Sequence, residues 1–168
     1  MDARTGLGRF KDFTISNYQL MINLIDYCSN HTIDEVLQLA DVQERITLFR
    51  SHEALAKEQI KRCATVYNNL VVLDLRGEEI IYAVNRFMIY ALYPQCNISI
   101  HVMWGVKQQN TVFAIGKSIL NRTSKTNVGA LCLRYKGGGH FNAGTCQVSN
   151  ETSEQDLKAV IAEINQDG

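Results

Sequence analysis

Between Ile80 and Asn150 the chain has no aspartate or glutamate. It holds 17 carboxylates among its 168 residues, 12 before that window and 5 after it. The window keeps seven cations: Arg86, Lys107, Lys117, Arg122, Lys125, Arg134 and Lys136. A buried, strand-rich half would have few charges of either sign, which explains missing acids but not surviving cations. This half is therefore expected to face an anion. A net charge of zero argues against a nucleic-acid coat protein. Proline occurs once, at Pro94, so long regular elements are permitted. No apolar run is long enough to span a bilayer, and the opening MDARTGLGRFKDF lacks the apolar core of a signal peptide. A cytoplasmic protein with no membrane partner is the expectation. The five cysteines are odd in number, scattered and form no CxxC, which argues against a zinc ribbon or a disulfide framework. Cys63 and Cys132 fall in apolar helical patterns and are expected to be buried.

The pattern divides the chain in three. Residues 1–15 read as the remnant of a preceding lobe, 16–67 as a helical connector, and 68–168 as a binding domain. In the connector, Leu20, Met21, Leu24, Ile25 and Cys28 have helical spacing, with Ser16 as N-cap. Thr32 and Glu35 form a capping box for TIDEVLQLA. A long helix is expected from about Val42 to Val66, capped by Asp41. The period then changes. Leu70–Leu75 is a compact apolar run and reads as a buried strand. NRFMIYALYP reads as a short helix ending before Pro94. Ile98, Ile100, Val102 and Trp104 alternate inward, and NTVFAIGKSIL follows a turn at Lys107–Gln109, so the two form an antiparallel hairpin. A helix from about Asn127 stops at glycine, AGTCQVS is a strand, and a last helix is capped by Thr152 or Ser153. The expected class is α/β: a helical N-terminal connector, then a mixed β-sheet with flanking helices in the order β-α-β-β-α-β-α.

The candidate site is the stretch KGGGHFNAG. Successive glycines let a backbone approach a ligand closely and let N–H groups converge on an anion. His140 adds a ring donor. One glycine suffices to stop a helix, so Gly137, Gly138 and Gly139 followed by His140 favour close ligand approach. Upstream, Lys117, Arg122, Ser124 and Lys125 offer cations and a hydroxyl for a phosphate. The helix between the two groups would ordinarily send its ends to opposite poles, so their meeting requires the fold to curl one back towards the other.

GGGHFNAGTC, preceded by KSILNRTSKTNVGALCLRY, resembles the C-terminal DHH-associated domain of the DHH phosphoesterase superfamily. That family places an Arg-Ser stretch and a helix before a GGGH turn and a small-residue run. Lys136 stands where many members carry a fourth glycine. The opening MDARTG is similar to the segment ending the catalytic lobe of an exopolyphosphatase-related or oligoribonuclease-like branch, which makes Asp2 a metal-binding aspartate. The resemblance implies a phosphoesterase with two divalent metals, manganese or magnesium, that activate a water. It further implies that Arg122 and Gly137–His140 grip the substrate's phosphate and terminal nucleotide. The family's His-x-Asp-x-Asp segment and Asp-His-His triplet do not occur in this sequence. The expectation is thus the substrate-binding half of an enzyme that hydrolyses phosphodiester or phosphoanhydride bonds in nucleotides, short oligonucleotides or polyphosphate. This chain alone would be inactive and bind no metal tightly. Its partner would be a phosphate-containing small molecule or short oligonucleotide, and a homodimer is compatible. The alternative is a non-catalytic nucleic-acid-binding or assembly module, as in the related domain of alanyl-tRNA synthetase.

Overall fold

The computed structural model describes residues 12–168, and its contacts divide the chain into two compact units, with the boundary inside one long helix after Gln59. Asp2, the metal ligand expected by resemblance, lies outside the described residues. Within the first unit, α1 (Asn17–Cys28) begins as the sequence predicts: the Gln19 N–H donates to Ser16 Oγ at 3.0 Å. For α2 (Ile33–Gln38), Thr32 and Glu35 form the expected reciprocal box. The next helix, α3 (Ala40–Cys63), starts earlier than expected, so Asp41 sits in its first turn rather than capping it. Arg45 is buried and donates to Asn17 Oδ1 (3.0 Å) and to the carbonyls of Asp41 and Ile15, which ties α1 to α3. The segment 79–85 joins this unit through His52 Nδ1, which accepts from the Ala83 N–H, and Gln59, which donates to Ile80 O. Beside Arg45, a groove of about 590 Å³ runs along Leu20, Met21, Leu24 and Ile25.

The second unit is a six-stranded mixed sheet. In chain order its strands are β1 (Ala64–Tyr67), β2 (Leu70–Asp74), β3 (Ile98–Trp104), β4 (Thr111–Lys117), β5 (Gly138–His140) and β6 (Ala143–Val148), and they lie side by side as β1-β2-β3-β4-β6-β5. Only β2 and β3 run parallel, and the connection between them carries α4 (Met88–Leu92). Two strands go beyond the expected set. The long helix ends at Cys63, and Ala64–Tyr67 pairs antiparallel with β2 as an edge strand. The glycine run itself forms β5. Cys63, placed at that helix end, is half-buried rather than buried. Burial and then Glu78 push its thiol up to about 11.

The main core lies on one face, where α5 (Val128–Arg134) and α6 (Ser153–Asp167) cover the sheet. Leu70, Val72, Ile98, Ile100, Val102, Phe113 and Ile115 pack there against Leu131, Val160 and Ile164. The alternation expected for β3 holds for its three aliphatic residues, whereas Trp104 is half-buried and donates through Nε1 to Arg76 O. The opposite positions Ser99 and Met103 are buried as well, because α4 covers part of the second face through Tyr90. Among the described residues no helix is long and apolar enough to cross a membrane.

Candidate functional site: a glycine hairpin and the open face of the sheet

α5 ends in a Schellman motif. The Lys136 N–H donates to Leu133 O and the Gly137 N–H to Cys132 O, at 3.1 and 2.9 Å. The residue in the left-handed conformation is Lys136 (φ 57°), not a glycine as the sequence suggested. The chain then reverses into β5, which runs back along α5 and pairs with β6 across the two-residue turn Phe141-Asn142. Gly129 of α5 permits this: a Cβ there would stand 3.0 Å from Gly139 O. Since α5 is only about 10 Å long, the hairpin returns its tip to the start of that helix. There the Val128 N–H donates to Phe141 O, and Asn127 caps the helix through Oδ1. This is how the loop and the glycine run, at opposite ends of a helix in the sequence, come together.

Lys117 joins them. Its N–H donates to Asn142 O (2.9 Å), its Nζ donates to Ser124 O (3.2 Å), and the same Nζ lies 3.7 Å from the centre of the Phe141 ring. Burial lowers the pKa of Lys117, opposed by the charge of Asp167. The loop carrying Arg122 is pinned by the Asn97 side chain, which donates to Thr123 Oγ1 at 2.9 Å. Arg122 is exposed and donates through Nε to Ile119 O. Lys125 is also exposed. Ser124 is buried, and its Oγ has no hydrogen-bond partner among the described residues. The structure thus gathers Lys117, Ser124 and the hairpin. Among the described residues no hydrogen bond or ion pair links the side chains of Arg122 or Lys125 to that hairpin.

The glycines divide by purpose. A Cβ on Gly137 would stand 2.2 Å from Thr145 O, and one on Gly139 2.3 Å from Ala143 O; both serve the tight pairing of β5 with β6. A Cβ on Gly144 would meet Cys132 Sγ at 2.8 Å, so Gly144 faces α5. By strand alternation, Ala143 and Thr145 face the other way. Residues directly opposite in an antiparallel pair share a face, which places Gly138 and His140 with them. A Cβ on Gly138 would meet nothing within 4 Å, and the same holds for Gly116 of β4, which pairs with Ala143 on that face. Neither residue has positive φ. Among the described residues, no packing requires glycine at these two positions.

Register lays out this open face in two rows across the sheet. One runs Ser99, Gly116, Ala143, His140, and the other His101, Ala114, Thr145, Gly138. Apart from buried Ser99 and exposed Gly138 and His140, these residues are partly exposed. At one side stands His140. The Asn142 N–H donates to its Nδ1 (3.1 Å), so a neutral His140 carries its proton on Nε2, as an exposed donor. At the other side stand His101 and Tyr90, whose hydroxyl bonds Ser99 Oγ (2.8 Å) and donates to Gly116 O. Burial, with Arg86 second, pushes the His101 imidazole down to about 4. Arg86 is one of the cations marked by the acid-free window, whereas His101 was not among the candidate site residues. The signal that finds His101 is the register, which brings it to the same floor as His140. Of the seven cations in the acid-free window, Arg134 forms an ion pair with Glu163. The other six make no ion pair with a carboxylate among the described residues.

The described residues contain no group of three or more His, Cys, Asp or Glu side chains that could hold a metal ion. They do not fit a metal pair, and no bond-cleaving step is assigned to them. What the arrangement does offer is a floor of small residues, a ring N–H donor and cations that form no direct ion pair among the described residues: the chemistry of binding a phosphorylated ligand.

No protein-family model and no curated protein matches the chain. Solved structures do. A pGpG-specific phosphodiesterase, PggH from Vibrio cholerae, is 64% identical with a TM-score of 0.84, over 99% of this chain. This chain spans 57% of that protein. An exopolyphosphatase-related protein from Bacteroides fragilis is 14% identical with a TM-score of 0.52, over 88% of this chain and 44% of its own. A DHH domain from a member of a ribosomal-protein family is 13% identical with a TM-score of 0.53, over 79% of this chain and 35% of its own. The last two are alike in fold alone. Taken with the GGGH hairpin and the sheet that carries it, these similarities are consistent with a DHH-associated domain, as the sequence resemblance implies.

Proposed function

We propose that this chain is the substrate-binding part of a phosphoesterase acting on a short oligonucleotide, with a guanine dinucleotide such as pGpG as the leading substrate. The observation that carries the reading is the pair Gly116 and Gly138. Both lie on the open face beside His140, and nothing within 4 Å would obstruct a side chain at either. Bare backbone at these two positions lets a ligand lie closely against the sheet. Support comes from the cations of the hairpin-tip loop, which form no ion pair with a carboxylate among the described residues, and from the substrate named for the Vibrio cholerae relative.

In this reading His140 Nε2–H donates to a phosphate oxygen. The exposed β5 backbone lies beside the nucleotide, and Lys117 with the Arg122, Ser124 and Lys125 loop supplies positive potential at the hairpin tip. The metal chemistry implied by the family, with manganese or magnesium, is assigned to groups other than the described residues, and Asp2 remains the candidate contribution from this chain. The chain by itself is expected to bind pGpG without hydrolysing it. Titration calorimetry with pGpG, beside an assay for GMP release with manganese present, tests this. His140→Ala is expected to weaken binding by about 1.5–3 kcal/mol, the scale of a hydrogen bond to a charged group. Unchanged affinity in that variant, or absence of pGpG binding to the wild-type chain, overturns the reading.

A further inference from the structure

The turn of the glycine hairpin carries Phe141, and 53% of that residue is exposed. A single exposed apolar side chain is ordinary and means nothing by itself. What sets Phe141 apart is how firmly it is presented. Its carbonyl accepts from the Val128 N–H at 3.2 Å, and the carbonyl of Asn142 accepts from the Lys117 N–H at 2.9 Å. Both turn residues are thereby pinned, one to α5 and the other to β4. Two-residue hairpin turns ordinarily hold Asn and Gly. This one holds Phe and Asn, so turn chemistry does not account for an aromatic ring at the tip.

The ring is also backed by a charge. Lys117 Nζ stands 3.7 Å from its centre and is held there by its hydrogen bond to Ser124 O. The ammonium occupies one face of the ring, so the exposed area belongs to the opposite face and the rim. A cation on one face draws π density towards itself and leaves the other face suited to an electron-rich partner. The preceding residue is His140. Its imidazole is held over the same turn, because Nδ1 accepts from the Asn142 N–H at 3.1 Å. Consecutive Cα atoms are about 3.8 Å apart, so a donor for phosphate and a flat apolar surface lie within the length of one nucleotide.

We propose that Phe141 is a base-stacking residue, whose open face takes the guanine of the nucleotide whose phosphate accepts from His140. The inference rests on the function proposed above and deepens it by assigning a place to the base. The glycines, Ala143 and Thr145 of the hairpin offer no aromatic surface for it. Stacking accepts any base, since every base has a π-face. A purine, with two fused rings, covers more of the phenyl ring than a pyrimidine does.

Calorimetry with pGpG on the whole chain, beside tryptophan emission, tests this. Phe141→Leu, checked for folding by its thermal transition, keeps an apolar side chain at the tip and removes the π-face. It is expected to weaken pGpG about fivefold or more, the low end of what losing a base-stacking aromatic costs. Phe141→Tyr keeps the π-face and is expected to bind within about twofold of the wild type. Phe141→Trp adds a reporter to a chain whose one tryptophan is Trp104. Saturation with pGpG is expected to quench the added emission, a response that a merely structural ring would not give. Unchanged affinity in Phe141→Leu, equal losses in Phe141→Leu and Phe141→Tyr, or unmoved emission from a Phe141→Trp chain that binds pGpG overturns the stacking role. If His140→Ala weakens binding in the same series, the phosphate site stands whatever Phe141 does. Failure of the wild type to bind pGpG overturns both.

Discussion

At Gly138 and Gly139 two adjacent, chemically identical residues have opposite duties. A methyl group on Gly139 would collide with Ala143 O and with the Gly144 Cα at 2.4 Å. Gly139→Ala is therefore expected to destabilise the fold by about 1–3 kcal/mol, the cost of overpacking. Gly138→Ala puts its methyl into open space and is expected to change stability by no more than about 0.5 kcal/mol, yet to weaken pGpG. Urea unfolding and ligand titration of both variants check this; a Gly138→Ala variant that binds normally would contradict the role given to the open glycine. Lys136 shows where the sequence misleads. The resemblance puts a glycine there, and the structure agrees on the backbone, since Lys136 adopts the left-handed conformation that glycine enters freely. The motif GGGH is legible in one sequence, but the division of labour within it is not, because glycine has no side chain whose pattern could report which way it faces.

Elements are legible where side chains carry a period. The strands β2, β3, β4 and β6 and the helices of the second unit stand close to where their apolar spacing places them. β1 is hidden because its four residues follow α3 without a break, although Thr65, Val66 and Tyr67 favour a strand, and β5 because two glycines and a histidine show no alternation. The open face is illegible for another reason: His101 shares a face with the glycine hairpin only through the order of the strands, and a pairing order with a crossover is not written in local spacing. Arg76 shows what holds the elements in that order. Just beyond β2 it pairs with Asp74 at 2.5 Å and with Glu154, in the first turn of α6, at 2.6 Å. Its carbonyl accepts from the Trp104 indole of β3, and its guanidinium lies 5.7 Å from that ring. Arg76→Ala is expected to destabilise the second unit by about 2–3 kcal/mol, less than a fully buried pair because Glu154 is largely exposed. Chemical denaturation checks it, and a loss below about 0.5 kcal/mol would reduce the cluster to surface decoration.

For the molecule as a whole, the two clearest levers on stability with pH act in different windows. His101 has a folded-state pKa of about 4 against 6.5 when unfolded. The unfolded chain takes up this proton first as pH falls, so stability is lost from about pH 6.5 down to 4. The amount is on the order of 2–3 kcal/mol. His52, lowered by burial, adds in the same direction. Asp74 acts at lower pH: burial raises its pKa, but the hydrogen bonds and charge of Arg76 outweigh that and leave it depressed, so its contribution disappears only as acid protonates it below about 4. Urea unfolding of the wild type at pH 7, 5.5 and 4.5 is expected to show a decline that His101→Gln flattens. Equal slopes for the two proteins would contradict the lowering of the His101 pKa by burial.

The last strand of the sheet, β5, is three residues long and offers no side chain until His140. Exposed sheet borders ordinarily invite foreign chains to add themselves, and proteins blunt them by shortness, charge or twist. Here a recruit would find a brief stretch of backbone and no apolar row to zip against. The same bareness that leaves room for a nucleotide denies a template to a fibril, so this border can stay uncovered without becoming a seed for aggregation.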